Sequence, residues 1–467
     1  MSPGVWGGVG PRVDIVSGGT IVDERGTSRA DVLIRDGRIS GIVEDSSSLT
    51  GERLDATGMH VFPGGVDIHT HLREPSKIER EDFAHGTASA VAGGITTVVE
   101  MPQADPLVTD VESLRTKRVL AEQGSIADFG LYAAAVGQPR AELAALRAEG
   151  ALAFKAFMCD SSPGYPRLDD AMLLECLEAV RDLDAMLIVH AENNDLLQAG
   201  LARMAAAGRV DPLAHADSRP PLVEIEAIRL AVDLAVHTGA RLHVAHVSTA
   251  AGARIVAGAR AAGAQVTCET CPQYLLLDLA DLERLGPYAR CAPALRSRAE
   301  VDELWPLALD GTIAAVASDH SPYRLEEKDA GDANIFQAAL GLNVIQVMLP
   351  GVLDEGRHRR GLSLSRFADL SAAGPAQVAG LYPRKGSIRV GADADLALWD
   401  IDREWQVSRE QLFSRHPWTP LEGRRIRGRV EATIRRGELV YRDGVVCGVP
   451  GSGTFLTSGP AAPVALV

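Results

Sequence analysis

Six side chains able to hold metal ions fall in the chain order His69, His71, Lys155, His190, His246 and Asp319, each at the end of a segment that reads as a β-strand. His69-Thr70-His71 closes the apolar run Val66-Asp67-Ile68, and the two-residue period of a strand turns both imidazoles to one face. His190 ends Leu187-Ile188-Val189 and leads into Ala191-Glu192-Asn193. Asp319 ends Ala314-Ala315-Val316-Ala317-Ser318, where a buried carboxylate is costly without a cation or a proton to handle. His246 is placed on one face with Leu242 and Val244, so His243, three positions away, is expected to point outward as a structural residue. Such a donor set implies hydrolytic metal chemistry.

Lys155 does not fit as a plain ammonium. Ala151, Ala153 and Lys155 share one face of their strand, which would drive a cation into a cluster of cations. Addition of CO₂ would turn the amine into N6-carboxylysine, an anion with two oxygens that can bridge two ions and reverse the local field.

The elements that must position these groups form a repeat of strand and helix. Candidate strands are Val66 to His71, Ile95 to Met101, Ala127 to Val136, Ala151 to Phe157, Met186 to His190, Arg241 to Val247, Gln265 to Cys271 and Ile313 to Asp319. Between them lie stretches with helical spacing, such as Glu81 to Ala92, Asp169 to Leu183, Leu222 to His237 and Ala250 to Ala262. This alternation predicts an α/β fold, a (β/α)₈ TIM barrel with its chemistry at the C-terminal ends of the strands. The chain ends carry short glycine-punctuated β runs instead, Asp14-Ile15-Val16, Asp31 to Ile34 and Arg38 to Ile42 on one side, Asp393 to Trp399 and Glu431 to Gly437 on the other. They predict one small β-sandwich built from both termini. The expected division is 1–62 and 384–447 for the sandwich, 63–383 for the barrel, and 448–467 for an extended tail packed on a neighbouring subunit of a homo-oligomer, dimer or tetramer.

Composition narrows the partners. Forty-seven Lys and Arg against 62 Asp and Glu give a net charge of −15, with no basic run, which argues against nucleic acid and anionic lipid. Met1 to Gly10 lacks the order of a secretory signal and no 18 apolar residues run unbroken, so a cytoplasmic protein is expected. The six cysteines are scattered, and the lone Cys268-Glu269-Thr270-Cys271 pattern reads as buried thiols.

Seven ordered motifs carry a resemblance: Val66-Asp67-Ile68-His69-Thr70-His71-Leu72-Arg73-Glu74-Pro75, Gly93 to Pro102, Phe154-Lys155-Ala156-Phe157-Met158, Val189-His190-Ala191-Glu192-Asn193, His246-Val247-Ser248, Glu269 to Tyr274, and Ser318-Asp319-His320-Ser321-Pro322. Together with Arg415-His416-Pro417-Trp418-Thr419-Pro420, they resemble the cyclic amidohydrolases, the allantoinase, hydantoinase, dihydropyrimidinase and dihydroorotase branch of the amidohydrolase superfamily. The resemblance implies two divalent ions, usually zinc: His69, His71 and Asp319 hold one, His190 and His246 the other, and carboxylated Lys155 bridges them. It also implies that Asp319 acts as the proton carrier while a small cyclic amide is opened to a carbamoyl acid.

Within the branch, the Ser318 to Pro322 motif, the loop Asp160-Ser161-Ser162-Pro163-Gly164 and Arg415-His416 look most like allantoinases, and the C-terminal third also resembles L-type hydantoinases. A five-membered ureide ring is therefore expected, with Arg73, Gln103 and Gln337 as substrate contacts and the loop from Arg73 to Glu81 as a lid. Three departures mark the alternatives. Met101-Pro102-Gln103 replaces the Met-Pro-Asn of dihydroorotases, Asp160 stands where dihydropyrimidinases carry a tyrosine, and Gln273 stands where allantoinases usually have histidine. A metal-free scaffold of the same fold, or a deaminase that would not need Lys155, are the readings from other classes.

Overall fold

The computed structural model describes residues 10–160, 162 and 164–458; the Met1 to Val9 start, Ser161, Pro163 and the 459–467 part of the tail lie outside it. The middle of the chain forms two arcs of parallel strands. The first joins Gly65–Thr70, Ile95–Glu100 and Asp128–Leu131; the second runs Ala133–Ala134, Phe154–Phe157, Met186–His190, Arg241–Val244, Val266–Thr270 and Ala315–Val316. Neighbours in sequence are neighbours in space throughout. Asp128–Leu131 and Ala133–Ala134 are one segment, interrupted only at Tyr132, whose N–H still donates to the Glu100 carbonyl at 3.0 Å. At the other edge Thr70 bridges His320, and the His71 N–H donates to the His320 carbonyl at 2.9 Å.

The apolar pattern explains the two sides of each strand. Phe154, Ala156, Leu187, Val189, Leu242, Val244, Val266 and Cys268 share one buried cluster with helix residues such as Ala227, Ile228, Ala231 and Val256, so these alternate positions face the helices. Ala153 and Ile188, on the opposite face, belong to a second cluster with Val99, Tyr132, Ala315 and Ala317. One return point shows why the glycines are needed: the helix Phe83–Ala92 ends on Gly93-Gly94, where Gly94 has φ 84° and a Cβ on Gly93 would lie 2.9 Å from the Gln346 carbonyl.

The chain ends form two sheets. One, in the order Arg38–Val43, Asp31–Arg35, Ile15–Ser17, Arg53–Asp55, comes wholly from the start of the chain. The other interleaves both ends, with Leu396–Gln406 paired antiparallel to His60–Pro63 on one side and to Arg425–Arg435 on the other. Val16, Val32, Ile34 and Leu54 pack with Leu396, Leu398 and Ile434 between them. Up to Ser458 the tail runs along its own chain: the Phe129 N–H donates to the Thr454 carbonyl at 3.0 Å, the Leu456 N–H donates to the Phe129 carbonyl at 2.7 Å, and Leu456 is fully buried.

A buried charge cluster ties the two regions. Lys385 Nζ reaches Asp128 at the start of a parallel strand and Asp393 and Asp395 ahead of Leu396–Gln406, at 2.5, 3.0 and 2.7 Å. Without the lysine, three carboxylates would face one another in the interior, with Arg436 reaching Asp128 and Arg384 reaching Asp393, each at 3.0 Å. Lys385→Met should therefore destabilise the fold by about 3–5 kcal/mol, read from the urea unfolding midpoint; an unchanged midpoint would show that the cluster contributes no net stability.

Candidate metal centre

The C-terminal ends of the strands open into a cavity of about 1080 Å³, lined by His69, His71, His190, His246 and Asp319 at its base and by Arg73, Gln103, Asp160, Tyr165, Arg290, Ser321 and Tyr323 higher up. His69, His71 and Asp319 offer ligand atoms that all lie within 4.8 Å of one another. Asp319 Oδ1 stands 3.2 Å from His71 Nε2 and 3.4 Å from His69 Nε2. His190 Nδ1 and His246 Nε2 meet at 3.0 Å, and the His69 ring centroid is 5.2 Å from that of His246. Five of the six residues expected from the sequence thus face one point.

Lys155, the sixth, is completely buried beneath them. Its Nζ has no hydrogen-bond partner among the described residues and sits 5.4 Å from the centre of the Phe157 ring, which stacks on His190. Burial pushes its ammonium down to about 8, although Glu269 and Asp319 pull the other way. His71 and His246 respond alike. Burial drives His246 well below the usual histidine range, helped by His190, Lys155 and His69, and takes His71 to about 3 even with Asp319 opposing. Burial acts to raise the Asp319 carboxyl, but His69 and His71 outweigh it and hold it low. A neutral His71 and His246 beside an ionised Asp319 are the protonation states in which these groups ligate a cation.

Local backbone geometry delivers two of the six. The strand expected to run to Val247 ends at Val244, and the one expected to reach Asp319 keeps regular pairing only at Ala315–Val316. His246 and Asp319 follow with φ of 40° and 47°, in the left-handed region that non-glycine residues rarely adopt. The Ser318 N–H leaves the ladder for Asp67 Oδ1 at 3.0 Å, and the Val247 N–H returns to the Glu269 carbonyl at 2.8 Å.

This overturns the face assignment of the Arg241–Val244 strand. Leu242 and Val244 face the helices, and His243 is the inward residue, fully buried with Nδ1 2.8 Å from Thr267 Oγ1 and Nε2 3.2 Å from Glu269 Oε2. His246 reaches the centre because the backbone reverses at it. His243 is a structural support, but from inside.

Two carboxylates that motif reasoning left without a role hold the histidines. Glu269 joins His69 Nδ1 through Oε1 at 2.5 Å and His243 through Oε2, and His69 and His243 keep it charged against its burial. Glu192 Oε2 lies 2.8 Å from His190 Nε2 and 3.1 Å from Arg219 Nη1; burial raises it, but Arg219 and His190 bring it down to about 2. A signal was available in Glu192, two residues past His190, and in Glu269, whose alternation from Thr267 turns it inward.

Arg73 lies where expected, on the cavity wall, with φ 70°; it donates from Nη2 to the Ser321 hydroxyl and faces the Tyr323 ring at 4.7 Å. Gln103 also lines the cavity and donates to Ser162 Oγ at 2.6 Å. Gln337 does not. It is exposed at the end of the turn Ile335–Gln337, whose neighbours Phe336 and Ala338 line the cavity in its place. Asp160 occupies the rim, whereas a cavity tyrosine comes from Tyr165, whose hydroxyl donates to the Lys155 carbonyl. The loop after the first strand contributes Ser76, Lys77 and Arg80 to the wall and is pinned by Arg80 to Glu327 at 2.8 Å and by His416 Nε2 at 2.7 Å from the Glu79 carbonyl.

The donor set fits divalent ions. Lys155 Nζ is buried with no hydrogen-bond partner among the described residues, and His71 and His246 present Nε2 to the centre, 3.2 Å from Asp319 Oδ1 and 3.0 Å from His190 Nδ1. Neutral nitrogens and a carboxylate oxygen converging with unsatisfied capacity are what a metal supplies with partners.

The profile of the Amidohydrolase family matches residues 60–440, and the chain belongs to that family. It is 42% identical to an allantoinase of Rubrobacter xylanophilus, over 95% of this chain and 97% of that one. It is 35% identical to an L-hydantoinase of Paenarthrobacter aurescens over 95% of this chain and 97% of that one. Its fold superposes on the solved L-hydantoinase (dihydropyrimidinase) of Arthrobacter aurescens with a TM-score of 0.93, 35% identity, and coverage of 96% and 100% of the two chains.

Glu269→Gln should lower divalent-metal affinity about 10- to 100-fold by freeing the His69 ring, measured by competition with a chromogenic chelator. Undiminished affinity would confine Glu269 to a structural role.

Proposed function

We propose that this protein hydrolyses the cyclic amide C–N bond of a five-membered ureide, allantoin or a hydantoin, at a binuclear zinc centre. The observation that carries the proposal is the convergence of His69, His71 and Asp319 with the His190–His246 pair above an unpartnered, buried Lys155 at the base of the cavity. Relatives named allantoinase and L-hydantoinase, matched over nearly the whole chain, support the ring class. We read the two arcs as one closed (β/α)₈ barrel, supported by the bridge between Thr70 and His320, with residues 1–62 and 384–447 as its sandwich. A cytoplasmic homo-oligomer belongs to the same proposal, supported by the scattered cysteines and the acidic balance.

His69, His71 and Asp319 would hold one ion, His190 and His246 the other, and Lys155, carboxylated by CO₂, would bridge them. Carboxylation joins the neutral amine nitrogen to the carbon of CO₂ and releases one proton, converting a repelling charge into a ligand. When bound, the ions supply Lewis acidity, polarising the scissile carbonyl and acidifying water. Asp319, open to the cavity and held as a carboxylate, accepts the proton of the attacking water and returns it to the departing ring nitrogen, so the C–N bond breaks without expelling an amide anion. Arg73 and Gln103 offer N–H donors to ring carbonyls and fix which carbonyl meets Asp319. Phe157 and Tyr165, in contact at 4.7 Å, close the opposite wall.

Activity against allantoin, substituted hydantoins, dihydrouracil, dihydroorotate and cyclic imides tests the ring class. Turnover of at least one five-membered ureide is expected; turnover of dihydroorotate alone would overturn the branch and keep the chemistry. Lys155→Ala should remove most metal and activity together, with partial rescue by short-chain carboxylates, measured by elemental analysis and ring-opening assay. Retention of both would reject the bridging role.

A further inference from the structure

A second charged feature of the cavity has no part in the scheme above. Arg290 lines the wall beside Ser321 and Tyr323 and is only 7% exposed. Its Nη1 donates to the Ala338 carbonyl, and its Nε lies 3.5 Å from His215 Nδ1. Behind it Lys328, fully buried, donates from Nζ to the carbonyls of Arg290, Ala339 and Gly341 at 3.4, 2.8 and 2.9 Å.

The charged and titratable groups acting on Arg290 are Arg219, Tyr323 and Cys291, and those acting on Lys328 are Arg290 and Cys291. Among the described residues none of these is a carboxylate. His215 feels Arg219, Arg290 and Lys328, all basic. Arg219 already has Glu192 at 3.1 Å, so the nearest acid is committed elsewhere. Burial draws Arg290 down to about 10, a sign of how poorly its charge is compensated. Elsewhere in the interior cations meet acids, as Lys117 meets Glu100 at 3.0 Å and Lys385 its three aspartates. A buried guanidinium with no anion, opening on a substrate cavity, is built to receive one.

We propose that Arg290 is a carboxylate-binding residue which, in the same cavity as Arg73 and against the Phe336 ring, receives the carboxylate created by ring opening as it leaves Asp319. The identity of the anion rests on the ureide reading above; the existence of the anion site does not. The guanidinium offers planar, forked donors that match a carboxylate, and a neutral ring has no equivalent group.

The test is equilibrium titration of N-carbamoylglycine, the ring-opened form of hydantoin, into the metal-loaded protein and into its Arg290→Met and Arg290→Lys variants, with KM for hydantoin measured in parallel. Arg290→Met should weaken N-carbamoylglycine about 10- to 100-fold and hydantoin far less. Arg290→Lys should fall between, keeping the charge and losing the fork; it carries the comparison if the methionine variant does not fold. Equal losses for ring and product, or no loss for the product, would overturn the assignment. So would Arg290-dependent binding confined to a hydantoin bearing a carboxymethyl group, since the anion would then belong to the substrate. Arg290-dependent product binding in a protein that opens no ureide ring would uphold the anion site and sink the functional reading instead.

Discussion

The constraint on which the structure turns is electrostatic. At the base of one cavity the fold buries four imidazoles and a lysine beside a carboxylate open to the cavity, brings two ring nitrogens within 3.0 Å, and gives the lysine no hydrogen-bond partner among the described residues. Water is excluded from most of these groups, so their polar atoms cannot be satisfied from solvent, and an unpaired buried charge costs several kcal/mol. Two cations and a carboxylated Lys155, as we propose, would offset that cost and give these groups partners.

Everything around the cluster keeps it in that geometry. Glu269 and Glu192 fix the histidine rings from below and from the side, and Arg219 fixes Glu192 in turn. His246, Asp319 and Arg73 are held with φ of 40°, 47° and 70°, conformations that persist only where the surroundings over-determine them. Thr70 and Leu72, on either side of His71, both donate to Glu100, itself paired with Lys117. The sandwich contributes at a distance: the buried Lys385 cluster anchors the start of the strand that carries Asp128.

Much of this was legible in the sequence because strand periodicity and donor chemistry speak together. An HxH at the end of an apolar run, and His190 and Asp319 after runs of their own, announce their direction. The alternation of strands with helical stretches gave the elements nearly residue by residue, as for Asp169 to Leu183 against the helix Asp170–Asp182. Reading failed where the backbone stops alternating. His246 was assigned by counting from Leu242, yet the strand ends at Val244 and a left-handed residue reverses the side chain, which also hid that His243 points inward. Gln337 was placed by motif position, and one step along a tight turn decides between cavity and solvent. Alternation turns Glu269 inward and proximity places Glu192 beside His190, but their other partners, His69 and Arg219, lie far along the chain, and no local pattern names them.

The central claim is that Lys155 serves as an anion shared by two cations, and a crystal structure of the protein loaded with zinc under CO₂ tests it most directly. The account predicts two ions at the cavity base, one among His69, His71 and Asp319 and one at His190 and His246, with density for a carboxylate on Lys155 Nζ between them. A fully loaded, active protein whose Lys155 is an unmodified amine out of reach of either ion would contradict it.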